Sequence, residues 1–155
     1  MSEAVRKNSD EFSTRLNSAT VQEGILDDVV HIIVHYLPDC RAIYRFGSWG
    51  SGTERHDSDL DLAILPAQRL QSLQRWELAQ TLAVNVRRDI DLVDLFSVSS
   101  VLRMQVIAHG ERLYCTDVRE VERFEDVVFS MYARLNEERH EIVADAIQRG
   151  SIYGQ

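Results

Sequence analysis

Residues 47–61 read GSWGSGTERHDSDLD and connect two apolar runs, residues 42–46 and 60–65. Side chains alternate between the two faces of a β-strand, so Asp59 and Asp61 point the same way. Two carboxylates held together repel each other and raise each other's pKa unless a cation lies between them. Their oxygen atoms suit Mg²⁺, which also takes water and substrate phosphates as ligands. The segment therefore predicts a magnesium site at the second apolar run.

Glycine is concentrated just before these acids. Three of the chain's seven glycines, Gly47, Gly50 and Gly52, lie there. Glycine lets the backbone approach a ligand closely and direct its N–H groups at an anion. The apolar run before Gly47 and Ser48 predicts a strand that leads into this turn, a geometry in which the start of a following helix receives phosphate. The order along the chain is therefore a phosphate-binding turn and then metal-binding carboxylates.

Gly47-Ser48, ten intervening residues and Asp59-Leu60-Asp61 resemble the GS-x10-DxD motif of the nucleotidyltransferase superfamily related to DNA polymerase β. The short chain points to the minimal nucleotidyltransferase (MNT) branch. The resemblance implies that Gly47 and Ser48 bind the nucleotide, and that Asp59 and Asp61 are catalytic metal ligands. The competing interpretation is a glycine-rich hairpin with solvated acids. It leaves two strand carboxylates without a ligand, which is costly.

A third acidic candidate lies in the run Asp89-Ile90-Asp91-Leu92-Val93-Asp94 of a predicted strand over residues 90–96. By alternation Asp89 and Asp91 share one face of the strand, and Asp94 takes the other. The superfamily places its third catalytic carboxylate between two apolar residues on a neighbouring strand. The resemblance therefore favours Asp91 as a catalytic and metal-binding residue. Asp89 stays an alternative at the mouth of the strand, and Asp94 is left to cap a turn or pair with an arginine.

Length and composition describe one globular domain. The chain has 155 residues, of which 45% are hydrophobic and 27% charged; this is enough for a sizeable core. No apolar run is long enough for a membrane span, and the polar amino terminus lacks the apolar region of a signal peptide. Cys40 and Cys115 fit neither a disulfide framework nor a zinc site, so we expect a cytoplasmic protein. A net charge of −8 argues against direct binding to long nucleic acids.

The element pattern, together with the resemblance, predicts an α+β fold: a small mixed β-sheet flanked by helices, with a long C-terminal helical segment. Residues 1–18 are polar and unpatterned, and we expect a disordered or frayed N-terminus. Residues 19–116 form the predicted nucleotidyltransferase core, whose first helix opens at a capping box over residues 20–23 and ends before Pro38. The predicted strands cover residues 42–46, 58–65, 90–96 and 112–115. Two further helices are predicted. One covers residues 69–86, and the other has serines 97, 99 and 100 as candidate N-caps and ends at Gly110. The apolar stripe predicted for the helix over residues 69–86 is Leu73, Trp76, Ala79, Ala83 and Val86, widened by Leu78 and Leu82.

Residues 117–155 are predicted to be a C-terminal helical extension. Neither glycine nor proline occurs between Gly110 and Gly150, and apolar residues recur there at steps of three and four. This pattern indicates one long amphipathic helix or two nearly continuous ones. Such a helix either covers the sheet or keeps apolar surface for a partner. The sequence leaves both arrangements open.

The chain ends in Arg149-Gly150-Ser151-Ile152-Tyr153-Gly154 after this long helix. The ending resembles that of MNT antitoxins of the MntA type, which are paired with HEPN-domain ribonuclease toxins. The resemblance implies a type VII-like toxin–antitoxin system and a hetero-oligomer with the toxin. In such a system AMP is transferred from ATP to a tyrosine hydroxyl of the toxin, which inactivates it. It also implies Mg²⁺ as cofactor, in a two-metal site formed by Asp59, Asp61 and Asp91.

Three other functions compete with this interpretation. A small-molecule nucleotidyltransferase that modifies aminoglycosides generally carries an extra acceptor domain, for which 155 residues leave little room. A non-catalytic antitoxin would act by binding alone, and a regulatory module would bind nucleotide without turnover. The Gly-Ser pair and all three candidate carboxylates are present, which favours an intact catalytic site over either of these.

Overall fold

The computed structural model describes the backbone of residues 3–47 and 59–153, and the side chains of residues 20–47 and 59–150. Its four helices and four strands confirm the predicted α+β class, a small mixed sheet flanked by helices. The elements in chain order are α1 Glu3–Tyr36, β1 Ala42–Phe46, β2 Leu60–Leu65, α2 Ser72–Val86, β3 Ile90–Asp94, α3 Ser100–His109, β4 Glu111–Cys115 and α4 Val118–Tyr153. No helix in this described part combines the length and the apolarity that crossing a membrane requires.

The four strands form one sheet in the order β3-β2-β1-β4. Strand β1 runs antiparallel to β2 and β4, whereas β2 and β3 are parallel. The end of β1 and the starts of β2 and β3 therefore meet at one end of the sheet. In the pairing register Phe46 lies opposite Asp61, and Asp61 lies beside Asp91.

The two faces of the sheet bury different sets of side chains. One face packs against α1 and α2, and its core contains Ile43, Leu62 and Leu92. The other face packs against α3 and α4 and contains Tyr44 and Ala63. Because side chains alternate along a strand, Asp61, two residues before Ala63, lies on the second face together with its register partner Asp91. The acidic positions therefore lie on the sheet face that α3 and α4 cover.

Helix α1 is longer than the sequence predicts. It begins at Glu3, so the N-terminus expected to be disordered or frayed over residues 1–18 is helical from that residue onward. The predicted capping box over residues 20–23 lies inside the helix. Residues 3–19 contain neither glycine nor proline, and extending an existing helix costs far less than nucleating one. The helix ends at Tyr36, before Pro38, as predicted.

Helix α2 starts later than predicted, and part of its predicted apolar stripe is exposed. It begins at Ser72 rather than at residue 69, because Gln71 has an extended backbone with ψ at 150° and is the N-cap. Leu78, Leu82 and Val86 are buried as predicted, whereas Leu73 and Trp76, predicted for the same stripe, are exposed. The helix carries apolar residues over more than one face, and the packing partner decides which face becomes the interior.

The limits of β1 are as predicted, whereas those of β2, β3 and β4 each differ by one or two residues. Strand β2 starts at Leu60 instead of residue 58, and β4 starts at Glu111 instead of residue 112. Strand β3 ends at Asp94 instead of residue 96, because the chain turns there, with the N–H of Ser97 donated to the carbonyl of Asp94 at 2.8 Å.

Ser99 and Gly110 delimit α3 as predicted. The Ser99 hydroxyl accepts the N–H of Leu102 at 3.2 Å, and the helix ends immediately before Gly110. Gly110 is not in the left-handed region, since its φ is −75°. Glycine is needed there for close approach: a Cβ would lie 2.3 Å from the carbonyl oxygen of Val106 and 3.0 Å from that of Arg45.

Helix α4 is one continuous helix, the first of the two predicted alternatives. Its first turns pack on the sheet: Val121 and Val128 are buried, and Glu125 accepts a hydrogen bond from the Tyr44 hydroxyl at 2.7 Å. From residue 133 to residue 150 every side chain is exposed. The helix therefore covers the sheet over its first part and extends away from it over the rest.

Candidate active site

The site is built on Asp61, the second residue of β2. Its register partners are Phe46, the last residue of β1, and Asp91, the second residue of β3. Asp59 precedes β2 by one residue and is exposed, as is Asp91, whereas Asp61 is half-buried. Two of the three predicted carboxylates are thus fixed by strand pairing, and the third lies at the mouth of the central strand.

The electrostatics of Asp61 reflect both of the other acids. Burial raises the pKa of Asp61 above its ordinary value of 3.8, and the negative charges of Asp91 and Asp59 raise it further. Asp91 and Asp59 are therefore each close enough to Asp61 to repel its carboxylate. A bound cation would offset this repulsion, so the donor set fits a divalent metal that prefers oxygen ligands.

Gly47 touches Asp61 directly. Its φ is +76°, in the left-handed region, and a Cβ added there would lie 2.1 Å from Oδ2 of Asp61 and 3.0 Å from its Cγ. Only glycine combines this backbone conformation with such a close approach. The turn that the sequence assigns to phosphate binding thus begins in contact with the central carboxylate.

The predicted nucleotide-binding residue Ser48, together with Gly50 and Gly52, lies outside the described residues. Its role in phosphate binding stays a prediction. Among the side chains of residues 20–47 and 59–150, no three acidic, histidine or cysteine groups are arranged so that they could hold a metal ion by themselves. A metal held by these carboxylates would therefore take further ligands from water and nucleotide phosphates, as Mg²⁺ commonly does.

The three aspartates around β3 occupy different environments. Asp91 is the register partner of Asp61. Asp89 precedes the strand, and its carbonyl oxygen accepts the N–H of Leu60 at 2.9 Å. Asp94 is buried and accepts the N–H groups of Leu70 at 2.8 Å and Phe96 at 2.9 Å. The predicted capping role of Asp94 is confirmed, and the pairing geometry favours Asp91 over Asp89 as the third carboxylate.

The sequence did not identify Phe46 as part of the site. Its side chain is half-buried and packs with the core beneath α3 and α4, on the same face as Asp61. The signal was the apolar run before Gly47, but the long connection between β1 and β2 does not reveal which residues pair. The register became known only from the folded sheet.

The profile of the family described as "Polymerase beta, Nucleotidyltransferase" matches residues 27–119, which is more than half of the chain. This chain belongs to the polymerase β nucleotidyltransferase family. The matched residues include all four strands and the three candidate carboxylates. They end at the second residue of α4, so nearly all of that helix lies beyond the family's common domain.

Individual nucleotidyltransferases of this family resemble the chain over most of its length. The protein adenylyltransferase MntA of Shewanella oneidensis is 40% identical over 119 residues, 77% of this chain and 85% of the relative. A crystal structure of a toxin–antitoxin with AMP-PNP has a TM-score of 0.70 and 39% identity, covering 79% of this chain and 98% of that chain. The MNT antitoxin in complex with a tri-AMPylated Shewanella oneidensis HEPN toxin has a TM-score of 0.68 and 37% identity, covering 81% of this chain and 98% of that one. The predicted family and its resemblance to MntA-type proteins are therefore confirmed.

Proposed function

We propose that this nucleotidyltransferase is an antitoxin that transfers AMP from ATP to a tyrosine hydroxyl of a HEPN-domain ribonuclease toxin and thereby inactivates it. The proposal rests on one arrangement at the end of the sheet: Gly47 contacts Asp61, and Asp61 pairs with Asp91. The similarity to the adenylyltransferase MntA, and to an antitoxin solved with an AMPylated toxin, supports the choice of AMP and of a protein acceptor.

In this proposal ATP binds with its β- and γ-phosphates on the turn formed by Gly47 and Ser48. Asp59, Asp61 and Asp91 would hold the magnesium ion. When bound, magnesium offsets charge on the departing pyrophosphate and lowers the pKa of the attacking hydroxyl. The carboxylates position the nucleotide, and positioning together with charge stabilisation supplies most of the rate acceleration.

Gly47, Asp61 and Asp91 follow one another across this end of the sheet, and their order supports a distinct role for each. Gly47 follows β1, Asp61 lies on β2, and Asp91 lies on the edge strand β3. The leaving pyrophosphate and the attacking hydroxyl have to lie on opposite sides of the α-phosphorus. With the triphosphate at Gly47, the hydroxyl approaches from the Asp91 side, where that carboxylate orients it and accepts its proton. The hydroxyl oxygen forms a new bond to the α-phosphorus. The bond between that phosphorus and the oxygen that bridges to the β-phosphate breaks, which releases pyrophosphate.

The proposed compartment is the cytoplasm. Cys40 lies in the core with its thiol free, and the half-buried Cys115 is free as well. Free thiols of this kind are typical of proteins that work in a reducing environment. An intracellular ribonuclease would be available to the chain there.

The proposal is tested by intact-mass measurement of the purified HEPN protein after incubation with this chain, ATP and Mg²⁺. We expect the HEPN protein to gain the mass of one or more AMP units on a tyrosine and to lose ribonuclease activity, and we expect no gain with Asp61→Asn. Neutralisation of an unmodified HEPN protein would instead support an antitoxin that acts by binding alone. Adenylylation of an aminoglycoside without any protein partner would support the small-molecule enzyme.

A further inference from the structure

The exposed part of α4 carries a large apolar surface. We call it the α4 stripe; it comprises Met131, Leu135 and Ile142, three side chains that are between 45% and 68% exposed and lie within about 40° of one another around the helix. Together they expose on the order of 300 Å² of apolar surface, which is within the range of the largest patch on a typical monomer. Patches of this size commonly mark an interaction site.

The α4 stripe continues the buried side of the same helix. Val121, Val128, Leu135 and Ile142 follow one another at seven-residue steps, two helical turns each. Their exposed fractions rise along the series, from 1% and 5% for the two valines to 45% for Leu135 and 68% for Ile142. The stripe therefore lies on the side of α4 that packs against the sheet, and that is the sheet face on which Asp61 and Asp91 lie.

A groove runs along this stripe where α4 passes the start of α3. Its volume is about 220 Å³, and its lining includes Val101, Tyr132, Leu135, Glu138, Arg139 and Ile142. Arg139 lies between the two aliphatic residues of the stripe. Within the described part of the chain, none of the ion pairs includes this arginine. A partner that fills the groove would satisfy it with a carboxylate.

We propose that the α4 stripe and its groove dock the acceptor protein of the transfer reaction. The occupant is an amphipathic helix of that protein, with an apolar ridge for Leu135 and Ile142 and a carboxylate for Arg139. The inference rests on the proposed function, because an acceptor protein has to hold its hydroxyl beside Asp91 during transfer. It has to approach on the sheet face that α3 and α4 border, and the stripe extends from that face.

The extent of the family domain supports this choice of occupant. The common domain ends at residue 119, before every residue of the α4 stripe. Chemistry that is shared by a family resides in the common domain, whereas acceptor choice has to come from surfaces particular to each member. The stripe and the groove supply such a surface on the face of the sheet that carries Asp61 and Asp91, toward the end where β3 leads into α3.

The test compares two surface substitutions on different helices. Leu135→Glu with Ile142→Glu places charge in the stripe, at positions exposed enough to keep the fold. Val84→Glu is the matched control, since Val84 on α2 is 76% exposed and lies away from the stripe. We expect the double variant to bind the HEPN protein at least tenfold more weakly by calorimetry and to raise the KM for it by the same factor. The kcat and the affinity for ATP should stay unchanged, as should all properties of Val84→Glu.

Arg139→Glu tests the predicted carboxylate of the partner, and we expect severalfold weaker binding. Unchanged affinity of the double variant for the HEPN protein would overturn the proposal. So would light scattering that shows a dimer of this chain which the double variant dissociates, because a second copy would then occupy the stripe. A wild-type chain that binds the HEPN protein without transferring AMP would contradict the proposed function, while the affinity comparison would still decide the docking surface. A wild-type chain that does not bind it at all would overturn both.

Discussion

The two ends of β3 place the same residue type in opposite environments. Asp94, at the carboxyl end, is 1% exposed, and both of its oxygens accept backbone N–H groups, those of Leu70 and Phe96. Asp91, three residues earlier, is exposed and faces Asp61, whose pKa its negative charge helps to raise. The first carboxylate stabilises a turn, whereas the second adds repulsion that only a ligand relieves. Hydrogen-bond partners therefore separate the structural aspartate from the one proposed to be catalytic.

The largest expected effect is the loss of transfer activity when one of the proposed catalytic carboxylates, Asp61 or Asp91, is neutralised. Asp61→Asn and Asp91→Asn should each lower the rate of AMP transfer on the order of 10³-fold, because each removes negative charge that would hold the proposed metal. The measurement is the initial rate with labelled ATP and the HEPN acceptor.

Asp89→Asn is the matched control at the same end of β3, and its rate should stay within about twofold of the wild type. The comparison fails if Asp89→Asn abolishes transfer while Asp91→Asn retains it, since Asp89 would then be the third catalytic carboxylate.

The structural end of β3 should respond in stability rather than in chemistry. Asp94→Asn keeps the shape but turns an amide NH₂ toward one of two N–H donors that now have an acceptor. We expect the free energy of unfolding to fall by about 2–4 kcal/mol, measured by urea denaturation. Transfer activity per folded molecule should change less than twofold. A variant as stable as the wild type would show that these hydrogen bonds contribute little.

Gly47→Ala should affect both properties, because Gly47 supplies a left-handed turn and contacts Asp61 at once. We expect a loss of about 1–2 kcal/mol in unfolding free energy from the backbone conformation, and a 10- to 100-fold slower transfer as Asp61 is displaced. Gly24→Ala is the control, since a Cβ at Gly24 in α1 meets nothing within 4 Å. It should stabilise the protein by about 0.5–1 kcal/mol and leave the rate unchanged. Equal rates for the two variants would argue against the contact.

The smallest effect is a pH-dependent gain in stability for Asp61→Asn without metal or nucleotide. The folded state raises the pKa of Asp61 above 3.8, so the native protein favours the protonated carboxyl and loses stability as the pH rises through that raised pKa. Asparagine avoids this loss. We expect a slightly higher Tm than the wild type at neutral pH, with the difference disappearing as the pH falls to 3.8, whereas Asp94→Asn should lower Tm at neutral pH. A lower Tm for Asp61→Asn at neutral pH would contradict the inferred repulsion of Asp61 by Asp91 and Asp59.

The sequence predicted several of the points at which helices and strands begin or end. The apolar run over residues 42–46 predicted β1 without error, and Pro38, Ser99 and Gly110 marked element ends. Such signals depend on the dihedral angles and hydrogen bonds of a few neighbouring residues. The spacing of Gly47 from Asp59 and Asp61 likewise predicted the family, because the motif lies within one short segment.

Tertiary packing decided what those signals left open. Leu73 and Trp76 were predicted to be core residues of α2 but are exposed, whereas Leu78, Leu82 and Val86 of the same predicted stripe are buried. The elements packed against α2 therefore selected which of its apolar residues became core. The start of α1 depended on helix propagation through a segment that has no apolar pattern.

The sequence by itself determined where the strands lie, which turn precedes the acids, and which family carries such a motif, since each depends on residues close together along the chain. Only the tertiary structure placed Asp91 beside Asp61, buried Asp94 under its N–H donors, and divided α4 into a packed part and an exposed part. Those outcomes depend on strand register and on the area available for packing, which residues far apart in the chain create together.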